Sequence, residues 1–241
     1  MRQEVHSFYK DVVMLLHQHE LPFMVGGGFA MHHYTGIVRD TKDLDIFCKP
    51  GEYAPILKLL ADHGYVTELT DARWLAKVFK DHRFMDIIFN TTNNICTVDD
   101  SWYEHAVEGE FGGIPVRMLP PVELIWCKIY VQNRERFDGA DVNHLLLHTG
   151  KHLDWERLLR RIDAHWHLLL SAILLFQFVY PSEYPEIIPR WLFDELMQRA
   201  LQQYDVPSSL EKVCRGPLID QTQYASDIVE EHYKVTTIKT I

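Results

Sequence analysis

Apolar positions recur in two rhythms along this chain, and the change of rhythm divides it. Over residues 3–19, Val12, Val13, Leu15 and Leu16 make a helical stripe. Phe23, Met24 and Val25 form a short apolar run, read as a buried strand. Gly26-Gly27-Gly28 breaks it, and a second helix is expected over 29–34. A strand is predicted at 44–48, closed by Pro50-Gly51. A third helix follows at 53–63, with Gly64 just past its end. Two strands are expected at 76–79 and 84–89, joined by a tight turn at Asp81-His82. A hairpin is expected from 104–111 and 114–119, because Gly112-Gly113 accept the positive φ of a two-residue turn. Strands interleaved with helices, then a hairpin, predict an α+β fold: a mixed sheet with flanking helices.

After Pro120-Pro121 the rhythm is helical. Pro121 suits a first helical position. Helices are expected at 122–133, 140–148, 155–175 and 190–204, with Pro181, Pro185 and Pro189 interrupting the chain before the last. The final thirty residues carry no readable period. Two domains are therefore expected, 1–119 and a helical 120–241. Leu168 to Tyr180 is the most apolar stretch, but it is short of the ~20 residues that span a bilayer, so it reads as a buried core helix. The first twenty residues are punctuated by charge and read as an amphipathic helix, not a signal peptide.

Composition narrows the function classes. With 241 residues the chain can bury a core without disulfide or metal staples. Its four cysteines form no CxxC pair, which excludes a zinc ribbon or thioredoxin-like motif and points to a reducing cytoplasm. The His17/His19, His32/His33 and His165/His167 pairs have spacings that do not share a helix face, so they make poor zinc sites. The net charge of −10 disfavours broad capture of nucleic acid or anionic membrane, and no membrane partner is expected. Lys128, Arg134, Arg136, Lys151, Arg157, Arg160 and Arg161 are dense enough locally to leave tRNA open.

The stretch from Val25 to Phe47 carries the chemistry. Asp43 and Asp45 lie two apart in an apolar run, so a strand puts both on one face and Leu44 and Ile46 on the other. Side-by-side carboxylates repel, and a hard divalent cation relieves that repulsion. The alternative is a solvated strand edge. Asp86 lies among Phe84, Met85, Ile87, Ile88 and Phe89, and a carboxylate in such a run needs a partner or a metal. If its strand neighbours the first, three acids meet, as in two-metal phosphoryl-transfer sites. Gly27 and Gly28, lacking Cβ, let backbone amides approach a ligand, and the following helix offers its positive end to phosphate. Neither a dinucleotide fingerprint nor a P-loop is present.

Gly27-Gly28-Phe29-Ala30, then Gly36, then Arg39-x-Thr41-x-Asp43-Leu44-Asp45 resembles the signature of the nucleotidyltransferase superfamily related to DNA polymerase β. The form is similar to the bacterial branch of AbiEii-type toxins and aminoglycoside-type nucleotidyltransferases, and CCA-adding enzymes share the layout. The resemblance implies a nucleotidyltransferase-type sheet followed by a C-terminal helical domain. It implies that Asp43, Asp45 and Asp86 are catalytic and hold two Mg²⁺ ions, with Mn²⁺ as a substitute. It implies that Gly27 and Gly28 meet the triphosphate of an NTP such as ATP, and that Arg39 and Thr41 brace the metal loop or touch phosphate. Pro121 to Lys128, then Arg134, Arg136, Asp138 and Asp141, resembles the family's next helix pair. There Lys128 would face the phosphates, and Asp138 or Asp141 would cap the second helix and orient Lys128 or Arg134. Phe137 stands where the family usually has Lys.

The expected reaction is NMP transfer from an NTP to an acceptor hydroxyl with release of pyrophosphate. The acceptor is open between a small hydroxylated molecule, tRNA and protein. The contrasting reading is a non-catalytic binding module in a toxin–antitoxin or regulatory pair.

Overall fold

In the computed structural model, residues 7–39, 41, 43–206 and 211–235 are described. They fall into two units, Met1–Leu124 and Ile125–Ile241. The division lies inside a helix, after the Pro120-Pro121 step.

Along the first unit the order is α1 (Ser7–Gln18), β1 (Met24–Val25), α2 (Gly27–Thr35), β2 (Leu44–Phe47), α3 (Tyr53–Asp62), β3 (Val66–Asp71), β4 (Leu75–Lys80) and β5 (Arg83–Ile88). Then come α4 (Asp100–Glu104), β6 (Val107–Phe111) and β7 (Ile114–Met118), and α5 (Pro121–Lys128) leads across the boundary. Residues 3–6 of the expected first helix lie outside the described residues. The strands form one mixed sheet in the order β3-β4-β5-β2-β1-β7-β6. β2 pairs parallel with β5 and antiparallel with β1, and β1 pairs parallel with β7.

Strand alternation sorts the faces. Leu44, Ile46, Met85, Ile87, Ala76 and Val78 are fully buried and share a core with Phe8, Tyr9, Val12, Val13 and Leu16 of α1 and with Ile56 and Leu60 of α3. The helical residues recur at one-turn spacing, so each helix presents a single apolar stripe to the sheet. The opposite face of β2 and β5 is left for polar groups. Gly112 and Gly113 have φ of 58° and 92°, and this pair closes the β6–β7 hairpin.

Several elements differ from expectation. β3 was not expected; Val66–Asp71 is a mostly exposed strand at the sheet edge and has no apolar alternation to announce it. Residue 104 belongs to α4, where the Asp99 side chain caps the helix by accepting from the Ser101 amide, so β6 begins only at Val107. α5 stops at Lys128, short of residue 133, and Gln132 bridges to Phe137 instead.

The second unit carries α6 (Gly139–Thr149), α7 (Trp155–Ile162), α8 (Trp166–Val179), α9 (Tyr184–Ile187), α10 (Arg190–Tyr204) and α11 (Ala225–Val229). Two short strands, β8 (Val213–Cys214) and β9 (Lys234–Val235), pair in parallel. The helix expected over 155–175 is two helices. Asp163 takes φ 33° and starts a 3-10 turn between them. By length and composition Trp155–Val179 as a whole could cross a membrane. The turn leaves α8 with 14 residues, about 21 Å at the helical rise. α8 is also less buried than expected of a core helix: Leu169, Ile173 and Phe176 are inside, while Phe178 is 84 % exposed.

The packed face of β5 predicts a specific cost. Ile87→Ala should lower stability by about 2–5 kcal/mol, because the surrounding strands cannot close a cavity at a fully buried site. Urea unfolding of the variant measures this, and a loss below about 1 kcal/mol would contradict the burial.

Candidate active site

The acids are brought together by register. In the β2–β5 pair Asp45 lies opposite Asp86, with Leu44 opposite Met85 and Ile46 opposite Ile87. A period of two puts both carboxylates on the face away from the core. Asp43, one residue before β2, projects to the same side. Oxygens of Asp43, Asp45 and Asp86 all lie within 4.8 Å of one another, and each residue is half-buried.

The glycines shape the adjoining wall. β1 ends at Val25, and the Gly26 amide donates to the Asp45 carbonyl at 2.9 Å, tying the start of α2 to β2. Gly27 has φ of +51°, and a Cβ there would overlap the Asp45 carboxylate. A Cβ on Gly28 would overlap the Thr41 methyl. Any side chain at 27 therefore suffers twice, from the backbone conformation and from the acid. The first helical N–H groups of α2 have no intrahelical partner, so this close-packed turn offers them, with the positive helix end, beside the carboxylates. Thr41 packs on this turn, while Arg39 is exposed.

The acids also have a cation that the sequence reading did not single out. Lys77 of β4 is the cross-strand neighbour of Asp86, and its Nζ donates to Asp86 Oδ1 at 2.5 Å. A lone Lys within Leu75-Ala76-Lys77-Val78-Phe79 was the only signal for it. Burial holds the Asp86 carboxyl above its ordinary range, and the negative charge of Asp43 adds to this; the Lys77 hydrogen bond and charge pull the other way. Burial likewise raises the Tyr9 hydroxyl, against a hydrogen bond from Arg83.

Three carboxylates on one face, with hard oxygen donors only, fit a hard divalent ion such as Mg²⁺ or Mn²⁺ and no soft metal.

Residues 9–119 match the family model described as Aminoglycoside-2''-adenylyltransferase. The match spans most of the first unit and less than half of the chain, and it is to a family of adenylyltransferase enzymes. Among solved structures, the lincosamide antibiotic adenylyltransferase LnuA, lincomycin-bound, is 15% identical; the match covers 60% of this chain and 98% of that one, with a TM-score of 0.43. ANT(2")-Ia in complex with adenylyl-2"-tobramycin is 14% identical over 72% of this chain and 97% of that one, with a TM-score of 0.45. JHP933 from Helicobacter pylori is 12% identical over 83% and 98%, with a TM-score of 0.39. No curated protein sequence matches the chain.

The remaining predicted residues lie in the second unit. Lys128 is buried, and its ammonium donates to Asp138 Oδ2 at 2.8 Å and Asp141 Oδ2 at 2.7 Å. Arg136 adds two hydrogen bonds to Asp138. The Asp138 side chain makes no capping hydrogen bond at the start of α6. Arg134 meets Asp220 through its backbone amide, at 3.1 Å. Several members of the basic run that left tRNA open have partners within the second unit. Lys151 pairs with Glu186 at 2.7 Å, Arg160 with Glu156 at 3.7 Å, Arg161 lies over the Trp126 ring, and Arg157 is buried.

These geometries make three predictions. Gly27→Ala should leave the far-UV spectrum intact but abolish saturable Mn²⁺ binding, since the methyl displaces the Asp45 carboxylate; unchanged binding would refute the close approach. Lys128→Met should cost about 3–5 kcal/mol, because it removes the buried ammonium that Asp138 and Asp141 share, and urea unfolding followed by tryptophan fluorescence reads that loss. Burial would raise the Asp138 carboxyl, but the Arg136 hydrogen bond and the Lys128 charge outweigh it and hold it below the usual range. A depressed carboxyl adds stability above its unfolded pKa of about 3.9 and loses it as pH falls through the folded value. The stability gap between wild type and Asp138→Asn should therefore shrink on acidification below about pH 4.

Proposed function

We propose that the chain is a divalent-ion-dependent adenylyltransferase that moves AMP from ATP to the hydroxyl of a small molecule and releases pyrophosphate. The observation that carries this reading is the set of Asp43, Asp45 and Asp86 oxygens within 4.8 Å of one another, beside a glycine turn that no side chain can enter. The family match over residues 9–119 supports nucleotidyl transfer, and the donor and acceptor classes extend it.

Asp43 and Asp45 would hold the divalent ions, two when nucleotide is present, with Asp86 completing the set. Bound there, the ions would supply charge for the triphosphate and acidify the acceptor hydroxyl. The Gly27 and Gly28 backbone lets phosphate approach the amide end of α2. Asp86, on the same face as Asp45, is assigned to receive the proton of the acceptor hydroxyl as that oxygen attacks the α-phosphorus. The bond from the α-phosphorus to the bridging oxygen breaks, and the electron pair leaves with pyrophosphate. Lys128, held by two acids, is assigned to positioning its own unit, and Arg39, at the exposed edge of the metal loop, to the outer phosphates.

A small acceptor is favoured over tRNA by the family match over residues 9–119 and by the net charge of −10, which disfavours broad capture of a polyanion. The four cysteines are all free, which accords with a cytoplasmic location where ATP is available.

Transfer from α-labelled ATP with Mg²⁺ tests the reading, using panels of hydroxylated small molecules, tRNA and total protein as acceptors. Wild type should label a small molecule, and Asp43→Ala, Asp45→Ala and Asp86→Asn should each lower the rate by about 10²–10³-fold or more. Label appearing in tRNA or protein instead would overturn the acceptor assignment. Binding of ATP with no transfer to any acceptor would favour the binding-module reading.

A further inference from the structure

Lys77 lies between Ala76 and Val78, both fully buried, in the middle of β4. The β4–β5 register points it across the strand at Asp86, on the face that carries Asp45. Besides the 2.5 Å contact with Asp86 Oδ1, its ammonium sits 4.2 Å from the Phe84 ring centroid. The two side chains are only 22% and 15% exposed, so this is no solvent-screened surface pair. Backbone register, an aromatic face and partial burial together hold the charge in place.

We propose that Lys77 is a built-in counter-ion that keeps Asp86 out of divalent-ion coordination until nucleotide is bound, so that the nucleotide-free protein takes one ion instead of two. The inference rests on the metal-site reading given above. An ammonium has donors and no acceptor, so the Asp86 oxygen it holds is engaged. It also repels a divalent ion brought to the same carboxylate. A second ion at this face needs added negative charge to offset the ammonium, and a bound triphosphate is a group that brings it. Lys77 is thus a positioning residue: it acts through Asp86 and makes full assembly of the acid set conditional on the donor substrate.

Mn²⁺ titration of the full chain, followed by the electron paramagnetic resonance signal of the free ion, tests this without turnover. Without nucleotide, wild type and Lys77→Arg should bind one ion per chain. Lys77→Met should bind two, with overall affinity raised about tenfold or more by removal of the like charge. Adding a non-hydrolysable ATP analogue should bring wild type to two. In an Asp86→Asn background the Lys77→Met change should have no further effect, because the coupling runs through that carboxylate. Lys77→Gln serves as the neutral variant if Lys77→Met fails to fold. A neutral variant that titrates like wild type, or a wild type that takes two ions without nucleotide, overturns the role of Lys77 and leaves the metal site standing. Failure of every variant, wild type included, to bind Mn²⁺ with or without the analogue removes the metal-site reading and this inference with it.

Discussion

The parallel pairing of β2 with β5 is the constraint on which the first unit depends. One register decides two things at once. It sends Leu44, Ile46, Met85 and Ile87 into the core, and it sets Asp45 opposite Asp86 on the other face. A slip of a single residue would exchange the faces, putting carboxylates in the core and isoleucines in water. Each buried aliphatic side chain contributes about 1.5–3 kcal/mol, so the core enforces the register firmly. The acids follow without any favourable contact among themselves. The chemistry is therefore a by-product of hydrophobic sorting, with the cost of gathering like charges carried by packing on the reverse side.

Two kinds of charge assembly result, one in each unit. In the second unit Lys128 sits between Asp138 and Asp141, buried and hydrogen-bonded, with Arg136 on the same carboxylate. There the charges satisfy one another. In the first, three half-buried acids converge on one point and Asp86 titrates high because burial outweighs the nearby ammonium. A cluster that remains electrostatically unsettled is one that gains from a ligand. The contrast separates the acids of this chain into structural and reactive ones more clearly than their sequence neighbourhoods do.

The sequence made some of this legible for identifiable reasons. The strands at the centre of the sheet were readable because one face packs on the core, so their apolar positions alternate. The glycine turn and the Asp43/Asp45 pair were readable because few residue types meet those demands. The edge strand Val66–Asp71 was not, since an exposed strand carries no burial pattern. The break at Asp163 was not, since an Asp with φ of 33° leaves no glycine or proline to mark it. Lys77 was also hidden. A lysine in a strand reads as solvent-facing, and only the antiparallel register with β5, a tertiary fact, aims it at an acid. The partners of the basic run in the second unit were hidden too, because Glu156 and Glu186 could not be assigned to Arg160 and Lys151 by density alone.

The space a side chain would need at Gly27 is occupied by the carboxylate of Asp45. Positions 27 and 45 therefore behave under variation as one locus with a forced order. Residue 27 must already be glycine before an acid at 45 can take this place. Once the acid is there, no larger residue can return to 27 without expelling it. A library that randomises either position alone samples only dead ends, and useful diversity in this turn has to be drawn from pairs.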